Sequence, residues 1–280
     1  VIAYATRRAG RPDPAVIKAW DILRTNILID NPDGLWGRAI VFQAAPNYPV
    51  DQGWAKCSFP VKQKFLTAVI VEMLQADPAC RTADGYRFDV VNLTRQALGN
   101  CAAMVHSRMM QAAVEKDLPA FRRESVLLLE LGRDIDTLIG TRHEFLLGRW
   151  IADARAWGTT PAEKNYYERN ARQILTTWHL PGGGLSDYAH RQWNGLLRTY
   201  YLGRWEEFIK RLETALAGGQ AFDPKAYQNW RVKFDGDWVD STAEKFSATP
   251  QGDPCETAKK LFEKYQRELT QPISESERAP

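Results

Sequence analysis

The sequence predicts an all-α fold, organised as an irregular orthogonal bundle of about ten helices. Apolar residues recur at helical intervals of three and four over most of the chain, and the alternation typical of strands is nearly absent. Several of these stretches open with an Asp-Pro or Thr-Pro pair, in which the first side chain can cap the helix and proline takes its first position. The chain has 280 residues, 44% of them hydrophobic, so it can bury a large core.

The first predicted helix covers residues 14–27. It starts at the Asp13-Pro14 pair and ends at the Asn-Pro-Asp-Gly turn of residues 31–34. Residues 35–59 are rich in Pro, Gly and aromatic residues without a convincing period, which predicts a long ordered loop. The other predicted helices are, in order, 61–75, 86–114, 118–137, 145–157, 161–178, 187–201, 204–217, 224–234 and 255–269.

Two finer predictions concern the burial and the ends of these helices. The apolar run at residues 126–129 is predicted to be fully buried. Gly203 is predicted to separate the helices 187–201 and 204–217, and the polar residues 235–252 are predicted to form a loop.

The charge and hydropathy patterns argue against two classes of partner. The net charge is only +3 and is scattered, without the dense Lys/Arg face of a nucleic-acid-binding protein. No apolar run approaches the roughly 20 residues that a membrane-spanning helix needs. The sequence starts at Val1 without an initiator Met or a leader pattern, so we expect a processed or excised piece of a longer protein.

No familiar metal, cofactor or nucleophile motif is present, and no metal or cofactor is predicted. The four histidines are scattered, HExxH and GxSxG are missing, and no pair of carboxylates can be nominated as catalytic. The four cysteines lie far apart and favour buried or free thiols, although Cys57 and Cys80 flank one predicted helix and would be the more plausible pair in a disulfide. The other two cysteines are Cys101 and Cys255.

The segment RQILTTWHLPGGGLSDY, residues 172–188, breaks the helical pattern. A predicted helix runs into Trp178, stops at the following His-Leu-Pro, passes three glycines and restarts near Asp187. A large aromatic residue beside a Gly-rich turn, with Tyr188 on the next helix, is how a helical scaffold can present an edge to a ligand.

Several ordered blocks of the sequence resemble the C-terminal domain of the family 89 α-N-acetylglucosaminidases, which degrade heparan sulfate in animal lysosomes. Trp20 in its helix also matches, and the resemblance runs with gaps over about residues 1–267. The blocks are YRFDVVNLTRQ (86–96), FLLGRW (145–150), YERNAR (167–172), LTTW (175–178), LSDYAHRQ (185–192), YY (200–201), RW (204–205) and AKKLF (258–262).

The resemblance implies an all-α C-terminal domain over residues 1–270, followed by a flexible tail at 271–280. Family members carry two catalytic glutamates on a (β/α)8 barrel that precedes this domain, and they hydrolyse with retention of configuration. The chain would then contain no catalytic residue and be inactive alone, with the barrel of the same enzyme as its partner. A secreted, periplasmic or lysosomal type of compartment is expected from the family.

The resemblance also implies that Trp178, Leu185 and Tyr188 line the pocket for a terminal α-linked N-acetylglucosamine. An indole offers an apolar wall and one N–H donor, and a phenol hydroxyl can donate or accept a hydrogen bond. The alternative, that Trp178 and Tyr188 are packed residues of the helical core, stays open. The three glycines of the turn differ from the more polar turn of the family.

Two residues are predicted to support this pocket. Arg172 would hold the helix that bears Trp178, by pairing with a carboxylate or by capping a carbonyl group. Asp187 would cap the helix that restarts after the turn. The sequence leaves open whether Arg191 and Gln192 face the barrel or the helical core.

Two alternative functions remain at this point. The chain can be a stand-alone, non-catalytic helical module that binds carbohydrate or another protein. An independent helical glycosidase is the weaker alternative, because it requires two convergent acids in a cleft.

Overall fold

The computed structural model of the chain describes residues 1–28, Phe42, Pro46, Tyr48 and 63–270. These residues form helices and turns without a β-strand, which confirms the predicted all-α class. Cys57, the tail 271–280 and most of the predicted loop 35–59 lie outside the described residues. The α-helices are α1 (Ile2–Ala9), α2 (Pro14–Asn26), α3 (Gln63–Gln75), α4 (Asp84–Glu115), α5 (Leu118–Ile139), α6 (Leu147–Ala156), α7 (Pro161–Leu175), α8 (Leu202–Ala217), α9 (Pro224–Asp240), α10 (Pro254–Lys264) and α11 (Gln266–Thr270).

The helix starts predicted from the Pro-containing pairs are confirmed. The side chains of Asp13, Asp223 and Asp253 each accept a hydrogen bond from a backbone N–H in the first turn of α2, α9 and α10. Thr160 caps α7 in the same way, and Glu163 completes a capping box with it. Local side-chain chemistry therefore sets these four helix starts.

Two of the predictions about helix ends and burial are wrong, and helix α1, which has eight residues, was not predicted. The run 126–129 is not fully buried, because Leu128 is buried but Val126 is 67% exposed. Helix α9 continues through residues 235–240, which were predicted as loop, because the buried Asp235 is paired within the protein and Trp238 packs inside.

Gly203 does not separate two helices. It lies in the first turn of α8, which continues directly from a π-helical turn at Leu197–Tyr201. A Cβ atom on Gly203 would lie 2.7 Å from Cζ of Phe234 in α9. The glycine therefore permits close packing of α8 on α9, and its role is tertiary rather than local.

The described residues divide into two compact units. The first takes its residues from 1–40, 57–104 and 252–280, so that α1 to α3 and the first part of α4 are combined with α10 and α11. Within it, Arg8 pairs with Asp89 through Nε and Oδ2 at 2.8 Å, and the Tyr86 hydroxyl donates to the carbonyl of Met73. Cys80 and Cys255 are buried free thiols in this unit.

The second unit takes its residues from 41–56 and 105–251 and contains α5 to α9. Its core is aromatic, with Trp205 in edge contact with Phe208 at 5.9 Å and with His106 at 5.3 Å between ring centroids. The Trp205 indole donates to the carbonyl of Phe42 at 3.1 Å. All of the residues that the sequence nominated for the site lie in this unit.

The buried His106 predicts an acid-sensitive contribution to stability. Burial lowers its pKa from 6.5 to about 4, because the charged imidazolium loses its hydration. The pKa is lower in the folded than in the unfolded state, so this contribution is complete above about pH 6.5 and is lost as the pH falls towards 4. We expect His106→Gln, which is neutral throughout, to lose less unfolding free energy than the wild type between pH 7 and pH 4. Denaturant titrations at pH 7 and pH 4 measure the unfolding free energy of both proteins. If the wild type and His106→Gln lose the same amount between the two pH values, His106 is not the source of the acid sensitivity.

Candidate functional site

Most of the segment between α7 and α8 forms turns, although the sequence predicts that one helix ends and the next begins there. Helix α7 stops at Leu175, three residues before the predicted end at Trp178. Trp178, Asp187 and His190 have positive φ angles of 62°, 65° and 46°. Non-glycine residues rarely adopt this left-handed region, so the surrounding contacts must hold them there. We call residues 176–190 the aromatic turn.

The predicted helix 187–201 is wrong over its first half. Regular helical structure resumes only at residue 196, and its start is capped by Asp136 of α5. One oxygen of Asp136 accepts the N–H of Gly195 at 2.8 Å and that of Arg198 at 3.2 Å. Burial raises the pKa of Asp136 to about 6 in spite of these bonds. The cap predicted for Asp187 is therefore supplied by Asp136, which lies 59 residues before Gly195 in the sequence.

Trp178, Leu185 and Tyr188 all reach the surface of the aromatic turn. Their exposed fractions are 40%, 41% and 43%, so none of them belongs to the buried core. The rings of Trp178 and Tyr188 meet edge to face, with centroids 5.7 Å apart and planes at 72°. The Tyr188 N–H donates to the carbonyl of Leu185 at 3.2 Å, which places both in one tight turn. The structure thus brings together the two aromatic residues that the sequence singled out.

Backbone hydrogen bonds tie the aromatic turn to the end of α7. The N–H of Trp178 donates to the carbonyl of Gln173 at 2.8 Å, and the N–H of Asp187 donates to that of Thr176 at 2.6 Å. The Gln173 side chain also donates to the carbonyl of His179. Both ends of the turn are therefore attached to the same helix terminus.

The first and the third glycine of the aromatic turn have different roles. Gly182 has a φ of 76°, and a Cβ there would lie 2.8 Å from Cγ2 of Val232 in α9. Gly184, in contrast, has nothing within 4 Å of its Cβ position. The first glycine is needed for both backbone conformation and packing, whereas the third lies in open space.

Arg172 makes the predicted pairing with a carboxylate. Its Nε and Nη2 donate to the same oxygen of Glu168 at 3.0 and 2.8 Å, and both side chains are buried. Its Nη1 also donates to the carbonyl of Trp238 at 3.3 Å. The guanidinium lies over the rings of Trp238 and Phe246, at 4.8 and 5.1 Å from their centroids. These contacts connect the last turn of α7 to α9 and to the loop after it.

Arg204 of α8 is the residue that sequence reasoning missed. It is fully buried, and its Nη1 donates to Oδ2 of Asp187 while its Nε donates to Oδ1 of Asp235, both at 2.8 Å. Burial alone would lower the pKa of its guanidinium, but these carboxylates raise it above the ordinary value. The Tyr200 hydroxyl accepts a hydrogen bond from Arg204, and the guanidinium lies 4.0 Å from the centroid of the Tyr200 ring. The i, i+4 spacing of Tyr200 and Arg204 was the sequence signal that could have indicated this contact.

The chain after the aromatic turn carries a second aromatic contact. Arg191 is exposed and lies over the ring of Trp193 at 5.9 Å, and Trp193 lies 5.8 Å from Trp150 of α6. Gln192, whose direction the sequence also left open, is partly buried.

The described part of the chain contains no group of three or more His, Cys, Asp or Glu side chains that could hold a metal ion. Among the described helices, none combines the length and the apolar character needed to cross a membrane.

Comparisons with solved structures agree on one class of protein, the family 89 glycoside hydrolases. A Clostridium perfringens enzyme of this family, solved with 2-acetamido-1,2-dideoxynojirimycin, superposes on 94% of the chain with a TM-score of 0.84 and 28% identity. A second structure from this organism, solved with its substrate GlcNAc-α-1,4-galactose, covers 95% of the chain with a TM-score of 0.85 and 26% identity. The chain covers 31% and 32% of these two proteins.

The sequence comparisons define the family. Residues 1–264 match the family model described as the α-N-acetylglucosaminidase (NAGLU) C-terminal domain. Human α-N-acetylglucosaminidase is 33% identical over 194 residues, which are 69% of this chain and 26% of that protein. The chain belongs to the α-N-acetylglucosaminidase C-terminal domain family, as the resemblance of its sequence blocks indicated. It spans about a quarter to a third of the length of these relatives.

Proposed function

We propose that this chain is the C-terminal helical domain of a retaining exo-α-N-acetylglucosaminidase, in which the aromatic turn lines the pocket for the terminal sugar. The observation that carries the proposal is the exposed Trp178–Tyr188 pair, with Leu185 beside it. The similar enzyme solved with GlcNAc-α-1,4-galactose supports the class of ligand.

The side chains of the turn suit an N-acetylated sugar. The faces of Trp178 and Tyr188 are apolar, as are the C–H faces of a pyranose ring and the methyl group of an acetamide. Their indole N–H and phenol hydroxyl can hydrogen-bond to sugar or acetamide oxygens. Leu185 adds an apolar contact with no hydrogen-bonding group. The turn would therefore bind and orient the sugar without acting as an acid or a nucleophile.

Both catalytic carboxylates are proposed to lie on a (β/α)8 barrel outside this chain, on which the helical domain packs. Retention requires two carboxyl groups about 5–5.5 Å apart, one as nucleophile and one as acid/base. Asp187, the carboxylate of the aromatic turn, is buried and paired with Arg204, so it is poorly suited to either role. The domain would complete a pocket whose reacting groups belong to the barrel.

The isolated chain provides the test of this division of labour. We expect the purified 280-residue chain to leave an aryl α-N-acetylglucosaminide intact and to bind N-acetylglucosamine too weakly for calorimetric detection. A longer protein that includes the barrel should hydrolyse the same compound. Each result depends on the pocket having two walls, one from each domain.

Two outcomes would contradict the proposal in different ways. Tight binding of N-acetylglucosamine by the isolated chain would favour the stand-alone carbohydrate-binding module. Hydrolysis by the isolated chain that is lost when one of its own carboxylates is replaced would favour an independent helical glycosidase.

A further inference from the structure

We infer that Arg204 is a positioning residue for the proposed sugar pocket and acts through Asp187 on the aromatic turn. The inference rests on the proposed function, because it assigns a second layer of residues to the same site. Arg204 is fully buried and has no access to a ligand, so any effect on the sugar must pass through its neighbours.

Asp187 is the point at which the aromatic turn is attached to α8. Its side chain accepts from Arg204 at 2.8 Å, and its backbone N–H donates to the carbonyl of Thr176 at 2.6 Å. Thr176 lies two residues before Trp178, and Asp187 directly precedes Tyr188. One residue therefore connects the two backbone segments that bear the aromatic pair.

The backbone of Asp187 needs an anchor of this kind. With φ at 65°, Asp187 lies in the left-handed region, which costs free energy for a residue with a Cβ atom. Trp178 is in the same region at 62°. A buried charge-assisted hydrogen bond is strong and directional, so the contact with Arg204 can hold the turn in this conformation.

Arg204 is itself held in place from the other side. Asp235 of α9 accepts from its Nε at 2.8 Å, and Arg231 lies 3.6 Å from the second oxygen of Asp235. Two cations and two carboxylates thus form one charge-balanced cluster. Through Arg204, the position of Asp187 is therefore fixed by both α8 and α9.

The test is a double-mutant cycle in the complete enzyme with Asp187→Asn and Trp178→Ala. Asparagine has the size of aspartate and tolerates the left-handed region, but it removes the charge that Arg204 holds. We expect Asp187→Asn alone to raise KM for an aryl α-N-acetylglucosaminide about tenfold, as expected when a contact made in both ground and transition states is weakened. In the Trp178→Ala background the same change should raise KM less than about threefold, since coupled residues give non-additive effects.

The matched control is Glu124→Gln, which neutralises a buried carboxylate of the same unit that pairs with Arg108 of α4 at 2.9 Å. We expect it to lower Tm while leaving KM within about twofold of the wild type. If Asp187→Asn unfolds below the assay temperature, Arg204→Lys replaces it in the cycle. Lysine keeps the charge but cannot bridge Asp187 and Asp235 with a planar fork.

The outcomes separate this inference from the proposed function. Additive effects of Asp187→Asn and Trp178→Ala on KM, or an equal rise in KM with Glu124→Gln, would show a general structural role and overturn the inference. If Trp178→Ala alone leaves the kinetics unchanged, the proposed pocket is wrong, and the role of Arg204 in it falls as well. Coupling between the two sites, with an unchanged KM in the control, would support the inference.

Discussion

Replacing Trp178 by alanine in the complete enzyme is expected to lower kcat/KM for an aryl α-N-acetylglucosaminide by about 10- to 100-fold, which corresponds to about 1–3 kcal/mol of binding in the transition state. The indole supplies an apolar wall to the sugar and an edge contact to Tyr188, and alanine removes both. KM should rise, because the wall contact is present before the chemical step. Steady-state kinetics on the purified variant measures both quantities.

The control for Trp178→Ala is Trp157→Ala. Trp157 caps the C-terminus of α6 and is 80% exposed, so its removal deletes an equally large aromatic surface outside the aromatic turn. We expect this variant to keep the kinetic constants of the wild type. A folded Trp178→Ala enzyme with unchanged kinetics would remove this residue from the pocket.

Replacing Arg172 by methionine is expected to give the largest loss of stability, about 3–5 kcal/mol, because it removes one partner of a buried ion pair. Glu168 is buried and would keep only its contact with Arg155, at 2.6 Å. The stacking of the guanidinium on Trp238 and Phe246 would also be lost. Denaturant unfolding of the isolated chain would report the loss as a lower midpoint.

Arg169→Met is the matched control on the same helix. Arg169 pairs with Asp240 at 2.7 Å, but the two side chains are 44% and 63% exposed. An ion pair in water contributes at most about 1 kcal/mol, so this variant should unfold close to the wild type. Equal losses in the two variants would mean that burial of the Arg172–Glu168 pair does not determine its contribution.

Much of the helical framework was predictable because its signals are local. Asp13, Asp223 and Asp253 cap helices whose first residue is proline, and these pairs are visible in the sequence. The pairing of Arg172 with Glu168 follows from their i, i+4 spacing on one helix. Trp178 and Tyr188 were also found, since a break in the helical pattern and a family resemblance both lie at this segment.

The errors arose where a residue's partner is distant in the chain. Aspartate is a common helix-capping residue, but Asp187 pairs with Arg204, and Asp136 caps the next helix instead. Glycine commonly interrupts helices, yet Gly203 is the position at which Phe234 packs against α8. Neither partner can be identified from the few residues on either side.

The amino-acid pattern alone established an all-α protein of this family, most of its helix starts and the aromatic residues of the candidate site, because capping, periodicity and motif blocks depend on near neighbours. The conformation of the aromatic turn and the buried contact between Arg204 and Asp187 depended on the folded chain. Left-handed backbone at Trp178 and Asp187 is locally unfavourable, and it is stabilised by hydrogen bonds to the end of α7 and by the buried contact of Asp187 with Arg204 of α8.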